Sequence, residues 1–328
     1  MRDASERLLL QRLAGGAVGG STLARESGQT RAAVWKKIAA LREAGIAIAA
    51  EPGHGYRLAQ PLDLLDADAI VAALPAQARQ ALARLDIAWT LASTNSALLA
   101  AETPARGCAV LLAERQTGGR GRRGRTWSSP LAAHVYLSLA RRFDGGLARL
   151  AGLSVVAGIA CCDALHALGF TGVGLKWPND LVVVEAGALR KLGGVLVEGA
   201  GESAGAARAV IGIGLNVRMP PATGAAIDQP WTDLAALAPA LPPRNAIVAG
   251  LLGQLLPALE AFDAGGLSAF LPRYREYDVL AGCAVRVHGA AEAWEATALG
   301  IADDGALRVR DAAGTERRVH AGDVSVRA

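Results

Sequence analysis

Thirteen residues, Arg115 to Trp127 (RQTGGRGRRGRTW), constrain the architecture more than any other stretch of the chain. They hold five arginines (Arg115, Arg120, Arg122, Arg123, Arg125), four glycines (Gly118, Gly119, Gly121, Gly124) and no carboxylate. Guanidinium forks match phosphate and carboxylate oxygens two at a time, and glycine removes the side chains that keep backbone away from a ligand. Such a segment is built to close over an anion; the alternatives are a solvated basic loop or an arm that grips nucleic acid. Gly119, Gly121 and Gly124 spell G-x-G-x-x-G, but that dinucleotide fingerprint needs a strand before it and a helix opening from it. Here TWSSP follows, then LAAHVYLSLA, whose Val135, Leu137 and Leu139 alternate as a strand does. The context excludes a Rossmann turn, and the absence of a following Gly-Lys-Ser/Thr excludes a Walker loop.

A chain of 328 residues can bury a large core and is expected to divide into two or three domains. With 52% hydrophobic and 20% charged residues it has the composition of an ordinary soluble protein. The opening MRDASERLLLQRL carries charges through its apolar positions, unlike a signal peptide, and the apolar run Leu150 to Cys162 is too short to span a bilayer. A cytoplasmic protein with no membrane partner is the expectation. Cys108, Cys161, Cys162 and Cys283 show neither C-x-x-C spacing nor a disulfide framework, and read as reduced, buried small residues. Histidines form no cluster, so a metal, if used, arrives with a nucleotide.

The formal charge of +4 lies entirely in residues 1–60, where nine basic residues face five acidic ones. A polyanionic partner is expected there. Asp3 and Glu6 fit the start of a first helix stopped by Gly15-Gly16, Ser21 fits the cap of a short second helix ending at Gly28, and Thr30 opens a third. In that third helix Val34, Ile38 and Leu41 make the buried stripe, and Arg31, Trp35, Lys36, Lys37 and Arg42 take the other faces. Ile46 and Ile48, the turn Pro52-Gly53-His54-Gly55, then Tyr56 and Leu58 predict a hairpin. Together these predict a winged helix-turn-helix, with a small packing bundle as the alternative.

From Pro61 a linker runs into a helix, and apolar segments punctuated by Gly and Pro continue to about Tyr274. Strands are expected over Cys108–Ala113, Val135–Leu139, Leu181–Val184, Val195–Glu198 and Ala209–Ile213. Helices are expected over Leu98–Glu102, Leu147–Leu168 and Ala246–Phe262, the last disturbed by Pro257. The mixture predicts an α+β domain with helices covering a mainly antiparallel sheet. After Tyr277 short alternating pairs (Val285/Val287, Trp294/Ala296, Leu299/Ile301, Leu307/Val309, Val324/Val326), separated by turns such as Asp303-Asp304-Gly305, predict a small SH3-like β-barrel.

Polar groups stand out in the middle region. Ser93-Thr94-Asn95 precedes a helix; a cap needs one such residue, and three can donate and accept around a small polar ring such as a urea. In LKWPNDLVV, Pro178 leaves Lys176, Asn179 and Asp180 at a bend, which an Asx turn would also explain. In LRKLGGVLVE, Lys191 stands at the mouth of a strand whose Gly193-Gly194 permits close approach; the bland alternative is a solvated lysine. In GIGLNV, Asn216 ends a strand in which Gly212 and Gly214 deny side chains to one face. No Ser/His/Asp or Cys/His nucleophile set is present in this collection. Arginine and lysine clamps around an Mg²⁺-bound nucleotide suit phosphoryl or nucleotidyl transfer, where catalysis is positioning plus charge neutralisation.

The ordered set STN, QTGGRGRRGRTW, KWPND, RKLGGVLVE and GIGLN resembles bacterial biotin protein ligase, and TRAAVWKKIAALREAG with the wing EPGHGYRL resembles the DNA-binding domain of its bifunctional, operon-repressing form. The resemblance covers essentially the whole chain. It implies a winged helix-turn-helix over residues 1–60, a mixed α/β catalytic domain of the class II synthetase-like, biotin ligase type over 61–275, and an SH3-like domain over 276–328. It also implies that biotin and MgATP give biotinyl-5′-AMP, which biotinylates a lysine of the biotin carboxyl carrier protein of acetyl-CoA carboxylase. Operator DNA and a homodimer formed with the adenylate bound are the other implied partners. Ser93, Thr94, Asn95, Gln116, Arg120, Gly121, Arg122 and Lys191 are then expected around biotin. Arg120, Arg122, Arg125, Lys176, Asn179, Asn216, Trp231 and Arg327 are expected around ATP. The chemistry would fall to Lys191, Arg122, Arg125, Lys176 and Asp180, with Asp180 near Mg²⁺ or the incoming lysine, and DNA contacts to Thr30, Arg31, Trp35, Lys36 and Lys37. The wing departs from the family in carrying His54 where lysine is frequent. Three competing functions are a lipoate-type ligase, a biotin-sensing transcription factor without chemistry, and a biotin ligase whose winged helix no longer represses.

Overall fold

The computed structural model describes the backbone of residues 2–59, 62–201, 207–288, 293–320 and 323–326, and the side chains of 5–59, 62–201, 207–288 and 293–320. Three helices, α1 (Arg2–Ala14), α2 (Gly20–Glu26) and α3 (Arg31–Glu43), are followed by the hairpin β1 (Ile48–Glu51) and β2 (Gly55–Leu58). Thr30 caps α3 by accepting from the Ala33 N–H at 3.2 Å, and Val34, Ile38 and Leu41 are at most 2% exposed. The expected cap of α2 is corrected: Gly19, not Ser21, precedes it, without a side-chain bond. The cause lies just upstream, where Val18 pairs with Tyr56 of the wing in both directions at 2.8 and 2.9 Å and holds the chain extended. Gly55 (φ +98°) makes that pairing possible, because a Cβ there would lie 2.3 Å from the Val18 carbonyl oxygen.

Beyond the wing come α4 (Ala67–Ala73), α5 (Ala76–Ala81), β3 (Leu82–Leu91), α6 (Thr94–Ala100), β4 (Cys108–Gln116), β5 (Val135–Phe143) and α7 (Leu153–Ala167). They are followed by β6 (Val173–Lys176), β7 (Asp180–Glu185), β8 (Ala188–Gly201), β9 (Ala207–Leu215), the single-turn α8 (Pro221–Gly224) and α9 (Leu234–Leu237), then α10 (Arg244–Gly265) and α11 (Leu271–Tyr277). The seven strands order as β3-β4-β5-β9-β8-β7-β6, antiparallel except for the β3/β4 pair. The five expected strands are present and longer than predicted; edge strand β6 is the strand expected to run into Pro178, whereas edge strand β3 carried no predicted element. Helix α6 begins at Thr94 rather than Leu98. The long apolar helix is broken at Gly152, whose left-handed backbone (φ +82°) separates the turn Leu147–Leu150 from α7.

The C-terminal strands β10 (Ala284–His288), β11 (Trp294–Ile301), β12 (Leu307–Asp311), β13 (Glu316–Val319) and β14 (Asp323–Val326) form one antiparallel sheet in the order β13-β12-β11-β10-β14. Two segments, Leu147–Ala167 and Arg244–Gly265, are long and apolar enough to cross a membrane by composition. Both pack into the main core: α7 and α10 lie against each other and against one face of the large sheet.

Candidate active site

The period of two along the strands gives the large sheet two unlike faces. On one, Val135, Leu137 and Leu139 of β5, Val195 of β8, and Ile211, Ile213 and Leu215 of β9 join the core beneath α7 and α10. On the other, Ser138, Ala140, Gly212 and Gly214 are small and Glu198 is charged, among the larger Tyr136, Leu196 and Val210. The missing side chains are filled from other elements. A Cβ on Gly212 would fall 2.2 Å from Asn95 Oδ1, and one on Gly214 would fall 2.5 Å from the Trp127 ring. Over this face lies a cavity of about 780 Å³.

The arginine-glycine run forms the cavity's cover and is closed by its own backbone. Trp127 N–H donates to the Gly119 carbonyl at 2.9 Å, Gly121 N–H to that of Arg125 at 2.7 Å, and Arg125 N–H to that of Arg122 at 3.2 Å. The tip takes left-handed geometry at Arg123 and Gly124 (φ +55° and +74°). Arg120, Gly121, Arg122 and Arg125 line the cavity, and Arg122 Nη1 donates to Asn179 Oδ1 at 3.3 Å. Arg115 is a correction: it turns away from the cavity toward the N-terminal helices, 3.4 Å from Glu6, and donates to Thr90 Oγ1 at 3.0 Å.

Lys191 also lines the cavity. Its ammonium sits 2.7 Å from Asp180 Oδ1 and 5.6 Å from the centre of the Trp127 ring. Its backbone pairs in both directions with the segment carrying Trp231: Lys191 N–H donates to Pro230 O at 3.0 Å, and Thr232 N–H donates to Lys191 O at 2.9 Å. Trp231 faces the cavity, its indole N–H bonded to Gly224 O at 3.1 Å. Asn216 ties the base of the same segment by donating to Thr232 O at 3.0 Å.

At the other end, Thr94 donates its backbone N–H to Gln116 Oε1 at 2.8 Å, and Gln116 Nε2 donates to Ser129 Oγ at 3.2 Å. Ser138 Oγ lies 2.7 Å from Thr94 Oγ1 and 2.6 Å from Asn95 Oδ1. Ser93 caps α6 and reaches the Ser96 N–H at 3.4 Å. The buried Trp127 indole N–H has no hydrogen-bond partner among the described residues.

Ser93, Thr94, Asn95, Gln116, Arg120, Gly121, Arg122, Arg125, Asn179, Asp180, Lys191, Asn216 and Trp231 therefore converge on one cavity. Lys176 is not in its lining; it ends β6, paired in register with Asp180. Arg327 lies outside the described residues. Ser138, Glu198 and Trp127 had no predicted role, although Glu198 closes the RKLGGVLVE motif. Trp177 was also passed over. Only 3% exposed, it packs into the core of the C-terminal sheet with Leu280, Val285 and Val287 and donates to Gly305 O at 3.0 Å. The small sheet thus holds the bend that presents Asn179 and Asp180.

Beneath the Trp231 segment, His134 Nδ1 accepts from Val217 N–H at 3.0 Å and its Nε2 faces Met219 Sδ at 3.3 Å. Burial pushes its pKa from 6.5 down to about 3, with the Arg244 charge acting in the same direction. Its folded pKa being the lower one, the stabilisation is complete above pH 6.5 and is lost as pH falls toward 3, because only the unfolded chain accepts the proton. We expect stability to decline by up to about 1.4 kcal/mol per pH unit across that window. His134→Asn, which keeps an acceptor for Val217, should flatten the decline. Superimposable denaturation-versus-pH curves for the two proteins would contradict this.

On the N-terminal unit, Arg31 and Trp35 border a groove between α3 and the wing, and Trp35 is 60% exposed. Lys36 is exposed, Thr30 serves as the cap, and Lys37 turns toward Ser5 of α1. The unit's core continues onto Leu131, Leu62 and Trp89 of the central region.

The biotin/lipoate A/B protein ligase family profile matches residues 89–216, an HTH domain profile residues 6–57, and a biotin protein ligase C terminal domain profile residues 282–327. The bifunctional ligase/repressor BirA of Salmonella typhimurium is 40% identical over 79% of this chain and 78% of its own length. The biotin--[acetyl-CoA-carboxylase] ligase of Mycobacterium tuberculosis is 38% identical over 52% of this chain and 62% of its own. Among solved structures, the biotin protein ligase of Aquifex aeolicus in complex with biotin and ATP has the same fold, with a TM-score of 0.62 at 24% identity over 75% of this chain and 99% of that one.

Proposed function

The chain belongs to the family of bifunctional biotin protein ligase/repressors, and from that premise we propose that its cavity joins biotin to AMP and passes the biotinyl group to a carrier lysine. The observation that carries this reading is the convergence on one cavity of three features: a hydroxyl-and-amide wall, an arginine cover and a lysine held between a carboxylate and an indole. A volume of about 780 Å³ falls within the usual range of small-molecule sites.

Ser93, Thr94, Asn95 and Gln116 form the wall for the ureido ring, and the ligand's carboxylate lies toward Lys191. A carboxylate oxygen attacks the α-phosphorus of ATP and pyrophosphate leaves; a lysine amine of the carrier then attacks the acyl carbon and AMP leaves. Lys191 and the arginines at 120, 122 and 125 neutralise the charge gathered on the phosphoryl oxygens, while Asn179, Asn216 and Trp231 bound the nucleotide end. Arg122 is braced by Asn179 and Lys191 by Asp180, so both cations are oriented before the nucleotide arrives. Trp127 and the cover exclude water, which protects the mixed anhydride. Among the described residues no group of three metal-binding side chains occurs. Asp180 therefore fits Mg²⁺ only as a single carboxylate beside phosphate oxygens, where the ion would neutralise charge on the phosphates. We assign no nucleotide contact to Lys176.

Among the described residues, three of the four apolar clusters lie mostly within residues 1–60, 61–275 and 276–328, which supports divisions near residues 60 and 275 despite Leu131 and Trp177, which cross them. Residues 1–60 act as an operator-binding unit through Arg31, Trp35 and Lys36 at the groove, with Thr30 and Lys37 bracing α3. We further propose that the adenylate-bound protein dimerises on paired half-sites, that the carrier is that of acetyl-CoA carboxylase, and that the protein works in the cytoplasm. A lipoate ligase is disfavoured by the winged helix and the arginine cover. Incubation with biotin, MgATP and a carrier domain should add one biotinyl mass to the carrier. No added mass, and no biotin-dependent consumption of ATP, would refute the reading.

A further inference from the structure

Glu198 stands behind the cavity wall, its side chain 24% exposed, and two lining residues converge on its carboxylate. Arg120 Nη2 donates to its two oxygens at 3.0 and 2.9 Å, and Asn95 Nδ2 donates to it at 2.9 Å. An ion-paired carboxylate only accepts, so the amide nitrogen of Asn95 must face it and the amide oxygen must face Ser138. That oxygen carries no hydrogen. The single hydroxyl hydrogen of Ser138 is therefore committed to Asn95 Oδ1, at 2.6 Å. The 2.7 Å contact between Ser138 and Thr94 must then be donated by Thr94, whose one hydrogen goes there rather than to Gln116 Oε1, the more distant acceptor at 3.1 Å. Thr94 Oγ1 keeps its lone pairs, and Gln116 Oε1, which takes the Thr94 backbone N–H at 2.8 Å, keeps one. Both residues line the cavity, so the wall presents two acceptors.

We propose, on the reading that the cavity takes biotin, that Glu198 is a positioning residue: it fixes this one-way order of donation and so matches the wall to the two ureido N–H groups. The same carboxylate holds Arg120 beside the ring, which couples the cover to recognition of the ring. Glu198 touches no substrate and acts through Asn95 and Arg120. An amide at 198 removes the carboxylate's part of the constraint and leaves only the longer 3.3 Å contact of Asn95 Nδ2 with the Leu196 carbonyl to oppose reversal. It can donate to Asn95 Oδ1, Asn95 then turns end for end, and the relay runs Asn95 to Ser138 to Thr94 to Gln116. Gln116 Oε1, accepting from both the backbone N–H and the hydroxyl of Thr94, is then filled, and Thr94 Oγ1 keeps one lone pair where it had two.

The test is biotin-dependent ATP–pyrophosphate exchange by the full-length chain, with biotin and with a biotin analogue methylated on a ureido nitrogen. For Glu198→Gln the KM for biotin should rise roughly 10- to 100-fold, the range for losing a hydrogen bond that depends on a charged group. The KM for ATP should stay within about twofold, and the preference for biotin over the methylated analogue should collapse. Glu198→Asp, which keeps an acceptor-only group, should regain part of that preference. Arg120→Gln removes the cover's ion pair but leaves the carboxylate on Asn95, and should retain the preference. KM does not depend on how much of a variant is folded, so partial misfolding cannot mimic this pattern. If wild type exchanges but the glutamine variant leaves the KM for biotin within about twofold, or raises both KM values by one factor, the role of Glu198 is refuted while the ligase reading stands. A wild type that shows no biotin-dependent exchange overturns both.

Discussion

Lys191→Ala is expected to abolish carrier labelling, with the rate falling by roughly 10²–10³-fold or more, the usual cost of losing one oriented donor at a developing oxyanion. The structure gives the lysine little freedom. Asp180 at 2.7 Å and the Trp127 ring at 5.6 Å hold its ammonium, and two backbone bonds to Pro230 and Thr232 fix the strand that carries it. Charge alone should not restore activity. Lys191→Arg puts a wide planar fork where a compact ammonium fits between a carboxylate and an indole, so it should recover only a small part of the rate. Single-turnover labelling by mass measurement separates the steps, because biotinyl-AMP can be supplied preformed. If alanine at 191 labelled within a few-fold of wild type in both formats, the lysine would be a bystander.

The largest stability effect is expected at the buried pair of Glu114 on β4 and Arg244 at the start of α10, 2.7 Å apart with side chains 2% and 3% exposed. Glu114 also accepts from the Leu65 N–H at 2.6 Å, and Arg244 donates to the carbonyls of His134 at 3.0 Å and Asp63 at 2.8 Å. Glu114→Ala leaves a buried guanidinium without its counter-charge, which costs about 3–5 kcal/mol. Against a typical total of about 5–15 kcal/mol that is a large fraction. The double variant Glu114→Gln with Arg244→Met should cost less than the two single changes summed, since neither partner is left charged and alone. Urea denaturation should show a lower midpoint at unchanged slope. A loss below about 1 kcal/mol for the single alanine variant would mean that water reaches the site.

What could be read from the sequence followed physical locality. Strands β4, β5, β7, β8 and β9 announce themselves as short apolar runs bounded by glycine, proline or charge, whereas β3 (LARLDIAWTL) is an edge strand of mixed burial that breaks the pattern. The glycine-arginine run, Ser93-Thr94-Asn95 and Lys191 were visible because each breaks an apolar background over a few residues. Arg115 belongs to that run by spelling but to the N-terminal interface by geometry, since it is the last but one residue of β4 and points to the opposite side. Glu114 and Arg244 could not be paired in advance, being 130 residues apart, each an ordinary charged residue until both prove to be buried. Ser138 and Glu198 likewise read as strand residues until Asn95 is seen to lie between them.

The chain reads as three modules but is not assembled as three, because a tryptophan of the KWPND motif is buried in the hydrophobic interior of the last one. Exchanging the final fifty or so residues for those of an unrelated small sheet would remove the socket of that indole and set loose the corner carrying Asn179 and Asp180. A recombined chain would keep function only if the incoming piece brought a socket of the same shape, so the unit that can be shuffled is the sheet together with the motif it grips.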